Sequence, residues 1–373
     1  VQILWDAEMK IIQIITGLGI GGAEKIVSDL SEKLVNNQHE VLIISLTGDK
    51  LMKTPSEVNV IEMNMTKGIV SIIKTYWGVR KIIKEFNPDV VHSHMFHANI
   101  FARLIRLTLP FKKLISTAHS NNEGGSLRML AYRLTDSLAE ISTNVSEKAV
   151  NEFIAKKASK LGRMIPIYNG VDTHKFCYSS KNRRVMRELL NIPDDARLIM
   201  TVGRLTEAKD YPNLINAFAS LECKSSTYLA IIGDGELNSS LKELAINLKV
   251  DSNIFWLGKQ NNIEEWLSAC DLFVLSSVWE GFGIVLAEAM ACERIVIATN
   301  VGGVEEVVGD ANFLVPPSRS DLLMHKIKSI LNLNNEELLH IGTLNRDRVQ
   351  RNFSIDNIVV QWESIYINTK GIS

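Results

Sequence analysis

Short runs of apolar, largely β-branched residues alternate with longer amphipathic segments along the whole chain. In the first half the runs Lys10–Thr16, Glu40–Leu46, Asn59–Met63, Asp89–His92, Lys113–His119, Glu140–Val145 and Met164–Tyr168 read as strands. In the second half Leu198–Val202, Thr227–Ile232, Asn253–Leu257, Asp271–Leu275, Arg294–Ala298 and Asn312–Val315 do the same. Continuous apolar runs suit parallel strands covered on both faces, and the helical patterns between them suit crossovers. The alternation restarts near Ala196. It predicts an α/β chain of two Rossmann-like, doubly wound domains facing a central cleft. The boundaries expected are a first domain over 9–178, a linker and first-helix region over 179–195, a second domain over 196–351 and a C-terminal helix over 352–373. Ligands of open α/β sheets sit beyond the carboxyl ends of strands, so the chemistry belongs in the loops that follow them.

Three of those loops stand out. In "SSVWEGFGIVLAEAM", Glu280 lies in the loop, Gly281, Phe282 and Gly283 open a helix, and Glu288 lies just over a turn inside it. The helix N-terminus offers unpaired N–H groups to a phosphate or to hydroxyl oxygens. The two carboxylates suit hydroxyl-rich groups such as a sugar ring and a ribose. Equally, Glu280 can cap the helix and Glu288 pair on its surface. In "TVGRLTEAKDYPNLINAFA", Gly203 allows a tight exit from the strand, and Arg204 and Lys209 bracket a short excursion. Two cations there neutralise a diphosphate without a metal, unless they pair with Glu207 or Asp210. In "IIQIITGLGIGGAEKIV", Gly17, Gly19 and Gly22 fit G-x-G-x-x-G, a weak dinucleotide signal. The acid wanted at the end of the second strand is only partly supplied, by Asp49 beyond Thr47 and Gly48.

Composition changes the picture little. With 373 residues, 46% hydrophobic and 22% charged, the chain is an ordinary globular one of two domains. No apolar run approaches the roughly 18–20 residues of a membrane span. Cys177, Cys223, Cys270 and Cys292 lack C-x-x-C spacing and imply neither a disulfide framework nor a zinc knuckle, which fits a cytoplasmic protein. "VQILWDAE" ahead of Met9 lacks the marks of a secretory signal and reads as a leader outside the fold. Charge is uneven: residues 9–178 hold 22 Lys/Arg against 15 Asp/Glu, and residues 179–373 hold 19 against 25. A basic first half suits an anionic lipid or membrane surface, or is a chance imbalance of solvated faces. Nothing indicates nucleic acid.

"EGFGIVLAE" is similar to the E-x7-E motif of retaining glycosyltransferases, and "GRLTEAK" resembles their G-R-x-x-x-x-K diphosphate clamp. "GGAE", "PDVVHSH", "STAHS", "IYNGVD", "IIGDGEL" and "WLGKQNNI" also match, in order, the pattern of glycosyltransferase family 4. The chain most resembles bacterial surface-polysaccharide members, and the resemblance runs from Met9 onward. It implies the GT-B fold, with the acceptor on the first domain and a nucleotide sugar, expected to be UDP-linked, on the second. By that resemblance Arg204 and Lys209 hold the diphosphate, Glu280 the donor sugar hydroxyls and Glu288 the ribose. Backbone groups at Gly281, Phe282, Gly283 and Ile284 bind the sugar or phosphate. Gly258 to Gln260 border the base, Gly203 and Gly233 open loops toward the site, and Gly21 and Gly22 approach the phosphates and acceptor. The opening glycines then serve a sugar nucleotide rather than NAD.

His119 matches a family position near the donor sugar and acceptor, where it hydrogen-bonds a hydroxyl or polarises the reacting region. His92, His94 and His97 invite a metal reading, but no further ligand joins them at suitable spacing. Packing and acceptor-side roles are expected instead, with no metal and no cofactor beyond the substrate. The amphipathic stretches Ile69–Phe86 and Ala98–Leu114 either dock on a membrane or pack on the sheet. The reaction implied is transfer, with retention, of a hexosyl or N-acetylhexosaminyl unit to a lipid-linked glycan hydroxyl. A sugar-nucleotide epimerase and a non-catalytic partner protein on the same architecture are the alternatives.

Overall fold

The structure is a computed structural model describing residues 8–19, 21–48, 54–121, 123–193, 195–221 and 226–368. The leader up to Ala7, Asp49 and Cys223 lie outside the described residues. The chain divides into two compact units, 1–170 with 355–373, and 171–354.

The first unit runs β1 (Lys10–Ile15), α1 (Gly22–Asn36), β2 (Glu40–Ser45), β3 (Asn59–Glu62), α2 (Ile69–Phe86), β4 (Val90–His94), α3 (Phe96–Thr108), β5 (Leu114–Ala118), α4 (Gly125–Thr135), β6 (Ile141–Asn144), α5 (Glu147–Ala155) and β7 (Met164–Pro166). The strands form one parallel sheet in the order β3-β2-β1-β4-β5-β6-β7. The strand order reverses between β1 and β4, where Ile15 lies opposite His94.

The second unit begins with α6 (Ser180–Leu189) and continues through β8 (Arg197–Val202), α7 (Tyr211–Ala219), β9 (Thr227–Ile232), α8 (Asn238–Asn247), β10 (Ile254–Gly258), α9 (Ile263–Ala269), β11 (Leu272–Leu275), α10 (Ile284–Ala291), β12 (Ile295–Thr299), α11 (Val304–Val308), β13 (Leu314–Val315), α12 (Ser320–Leu331) and α13 (Asn335–Asn352). Its sheet order, β10-β9-β8-β11-β12-β13, repeats the first unit's pattern with the switch between β8 and β11. Both units are therefore doubly wound Rossmann-like sheets.

The units divide at Gly170, ahead of the boundary expected after Tyr178. Within the stretch read as a linker and first helix, α6 is capped by the Ser179 hydroxyl, and its Arg183 and Arg187 both reach Asp271. The last helix, α14 (Ile355–Ile367), belongs to the first unit. Its Ile355, Ile358, Trp362 and Ile365 join the core formed by Ile11, Leu34 and Ile115. Lys113 grips its end through the carbonyls of Ile365, Tyr366 and Asn368 at 3.2, 2.6 and 2.9 Å. Among the described residues no helix is long and apolar enough to cross a membrane.

Candidate active site

In the second unit, three predicted glycines line up across the carboxyl edge of neighbouring strands. Gly203 follows β8, Gly233 follows β9, and Gly258 ends β10. The Gly203 amide donates to Ile232 O at 2.9 Å and the Gly233 amide to Gly258 O at 2.8 Å. Gly233 has φ +140°, and a Cβ there would lie 1.9 Å from Gly203 O. The backbones approach so closely that only glycine fits. Gln260 folds back onto Leu257 O at 2.7 Å, beside this edge.

The excursion after Gly203 is stiffened from beneath. Tyr211 is buried and its hydroxyl donates to Gly203 O at 2.9 Å. Ser276 Oγ donates to Lys209 O at 2.8 Å, and the Val278 amide donates to Ala208 O at 2.9 Å. These bonds lock the β8 loop to the β11 loop at the switch point. Across it, Lys209 Nζ donates to Glu280 Oε1, which also accepts from Ser277 Oγ at 2.8 Å. Arg204 on the same loop is exposed.

Past Glu280 the chain turns into α10 through Gly283, at φ +79°. The Gly281 carbonyl accepts from the Gly303 amide at 3.1 Å, and a Cβ on Gly302 would lie 1.7 Å from Glu280 O. Phe282 turns its ring into the core against Phe353, with centroids 5.4 Å apart, so only its backbone is left for a ligand. Ile284 starts α10, and Glu288 on its second turn is 3% exposed. Glu288 is thus a buried carboxylate and not a surface pairing group, a distinction that spacing could not make. The loops at this edge carry an ion-paired lysine and carboxylate, an exposed arginine, a helix N-terminus and glycine turns, a set suited to a hydroxyl-rich diphosphate.

In the first unit, Gly21 and Gly22 sit at the start of α1, and the Glu24 carboxylate folds back so that a Cβ on Gly21 would meet Glu24 Oε2 at 2.5 Å. At the ends of β4 and β5 the histidines cluster: the His92 and His94 rings are 4.0 Å apart and His94 and His119 5.3 Å. His119 Nε2 lies 3.1 Å from His94 Nδ1. Burial holds all three rings below the usual histidine range, His119 at about 4. His92, expected on the acceptor side, is fully buried between Thr117, Trp362 and Tyr366. Its place is behind His94, because α14 covers it. His97 opens α3 apart from the cluster. Among the described residues no group of three or more His, Cys, Asp or Glu is arranged to hold a metal ion.

Sequence reasoning missed several supports. Glu123 accepts from the His119 amide at 3.0 Å and from the Tyr132 hydroxyl, and burial raises its carboxyl above the ordinary range. Gln13 interrupts the apolar run of β1 and contacts both His94 and Tyr366. A polar residue inside a buried strand was the available signal.

Residues 20–175 match the family model described as Glycosyltransferase Family 4, and residues 182–347 match Glycosyl transferases group 1. The chain belongs to the family-4 glycosyltransferases. This glycosyltransferase is similar to N-acetyl-alpha-D-glucosaminyl L-malate synthase of Bacillus anthracis, at 27% identity over 93% of this chain and 94% of that protein. It is also similar to a Campylobacter jejuni N-acetylgalactosamine-N,N'-diacetylbacillosaminyl-diphospho-undecaprenol 4-alpha-N-acetylgalactosaminyltransferase, at 26% identity over 85% of this chain and 88% of that one. Among solved structures it resembles a glycosyltransferase from Rickettsia africae ESF-5, with TM-score 0.86, 22% identity and coverage of 98% and 100%. Anabaena Alr3699/HepE, in complex with UDP and glucose, gives TM-score 0.81 at 20% identity, covering 96% and 99%. These likenesses establish the GT-B fold for the family-4 chain.

Proposed function

We propose that this glycosyltransferase moves a hexosyl or N-acetylhexosaminyl unit from a UDP-linked sugar to a hydroxyl of a lipid-diphosphate-linked glycan, in building a bacterial surface polysaccharide. The observation that carries the reading is the juxtaposition of Lys209 and Glu280 at the switch point of the second sheet, on loops one of which also carries Arg204. Similarity to an enzyme whose name specifies a diphospho-undecaprenol acceptor, and to a fold neighbour holding UDP, supports the substrate classes. In the proposed step the bond from the anomeric carbon to the diphosphate breaks, and a bond to the acceptor oxygen forms on the same face. The departing diphosphate oxygen takes the hydroxyl proton. Charge growing on that diphosphate is neutralised by Arg204 and Lys209 in place of a metal. Glu280 accepts from donor hydroxyls and orients the ring, and Glu288 serves the ribose. The chain would work at the cytoplasmic face of the inner membrane, with α2 as the contact.

A thermal-shift series with UDP, GDP, UDP-glucose and UDP-N-acetylglucosamine tests the donor class. Uridine ligands should raise the melting temperature at concentrations above their Kd while GDP does not. No shift with any of the four would remove the donor site from the second unit.

A further inference from the structure

Gln13 on β1 is fully buried and uses both ends of its amide. Its Oε1 accepts from His94 Nε2 at 2.7 Å, and its Nε2 donates to the Tyr366 hydroxyl at 3.3 Å. Together these contacts settle the protons of the whole cluster. With the Nε2 hydrogen of a neutral His94 turned to Gln13, His94 Nδ1 carries only a lone pair. His119 Nε2, 3.1 Å away, must then carry the hydrogen that fills it. What remains on His119 is a bare Nδ1 lone pair, and this atom is buried with no hydrogen-bond partner. His119 also lines a small cavity, with His94, Thr117, Asn169, Gly170 and Trp362, that has room for about one water-sized group.

In the other direction the order is equally fixed. Tyr366 accepts from Gln13, so its own hydrogen goes to His92 Nδ1 at 2.7 Å, and His92 Nε2 donates to Thr117 Oγ1 at 2.6 Å. Turning the Gln13 amide over would reverse every bond and leave a buried, unpaired N–H on His119. Orphaned N–H groups are rarer in folded proteins than under-used acceptors, so the sense with Gln13 Oε1 on His94 is the favoured one. Lys113, by holding the end of α14, keeps Tyr366 in reach.

We infer that Gln13 and Tyr366 are positioning residues that fix His119 as its Nε2–H tautomer, so that in the transfer reaction it can only accept a hydrogen bond at Nδ1. The inference rests on the proposed transfer for its purpose, but not for its test. Histidine-selective ¹⁵N labelling, with resonances assigned from single His→Gln variants, reads the tautomer of each ring directly. In the wild-type chain His94 and His119 should both be protonated on Nε2 alone. Tyr366→Phe, which removes one hydroxyl, frees the Gln13 amide to turn, and Gln13→Leu removes it; both should give His119 a mixed tautomer population. Melting curves confirm that the variants are folded. Protonation of wild-type His119 on Nδ1, or an unchanged single tautomer in both folded variants, overturns the inference. Failure of every nucleotide to bind would instead defeat the transfer reading and leave the tautomer result standing.

Discussion

Lys209 and Glu280 form an ion pair across the switch point of the second sheet, although 71 residues separate them. Both are held by the loop after β11: Lys209 by the Ser276 bond to its carbonyl, and Glu280 by Ser277. The pair keeps a cation and a carboxylate in place with opposite tasks. In the proposed reaction a diphosphate would compete with Glu280 for the lysine, and sugar hydroxyls would compete with the lysine for Glu280, so the two ligand parts would replace the pair together. Both side chains are only partly exposed, so leaving either charge alone in the unliganded chain would be unfavourable, and pairing avoids it.

The first prediction concerns leaving-group charge. Arg204→Ala and Lys209→Ala should each lower turnover by roughly 10²-fold or more, as removal of preorganised charge stabilisation does elsewhere. Steady-state kinetics with the donor identified by thermal shift make the measurement. Near-normal turnover in both variants would refute the clamp.

The glycine edge gives a second, purely structural prediction. Gly258 has φ +62° and open space within 4 Å of where a methyl group would stand, whereas a methyl on Gly233 meets the Gly203 carbonyl. Gly258→Ala should cost about 1–2 kcal/mol, the left-handed penalty alone. Gly233→Ala adds a backbone clash and should cost clearly more. Urea unfolding of the two variants compares them, and equal losses would contradict the close approach.

The described strands were legible in the sequence, most of them because buried parallel strands read as apolar runs such as "VLIISL" and "DLFVL". The positions of Glu280, Lys209 and Gly203 in loops after strands were legible for the same reason. The pairing of Lys209 with Glu280 was not, since it depends on β8 and β11 being neighbours, a fact of sheet order. Nor was the return of α14 to the first unit. Its helical pattern is visible in "IDNIVVQWESIY", but its partners, Lys113 and His39, lie far back in the chain and carry no local sign of it. Once the helix is placed, the odd Gln13 in "KIIQII" and the paired His92 and His94 explain one another.

A third prediction follows from the neutral histidines. An unfolded histidine titrates near 6.5, whereas burial keeps His92, His94 and His119 unprotonated to well below that, His119 to about 4. As pH falls from about 6.5 toward 4 the unfolded chain therefore binds protons that the native one refuses. Stability is complete above about 6.5 and declines below it, by up to about 1.4 kcal/mol per pH unit for each ring. Glu123, raised by burial, acts in the opposite sense over the range above its ordinary value. Urea unfolding at pH 7 and 5 should show the loss, and His119→Gln should reduce it. A pH-independent stability over this interval would mean the rings are not held neutral.

The last prediction concerns α2, whose packing departs from that of α3. Helix α3 buries Ala98, Phe101, Ala102 and Ile105 and is a sheet-covering helix. Helix α2 buries only Thr75, Val79 and Ile83, and leaves Ile69 76%, Val70 81%, Ile73 53% and Trp77 56% exposed. Lys67, Lys74, Lys81 and Lys84 are exposed around this apolar surface. An apolar strip bordered by lysines fits the boundary of an anionic bilayer, where Trp sits among headgroups and each lysine gains about 1 kcal/mol from the surface potential. Ile73→Ser with Trp77→Ser should sharply reduce flotation with vesicles containing anionic lipid. Lys74→Glu with Lys81→Glu should shift the remaining binding to lower salt. Neither change touches the second unit, so UDP stabilisation should persist in both. Wild-type protein that fails to float with anionic vesicles at low salt would leave α2 without a membrane role.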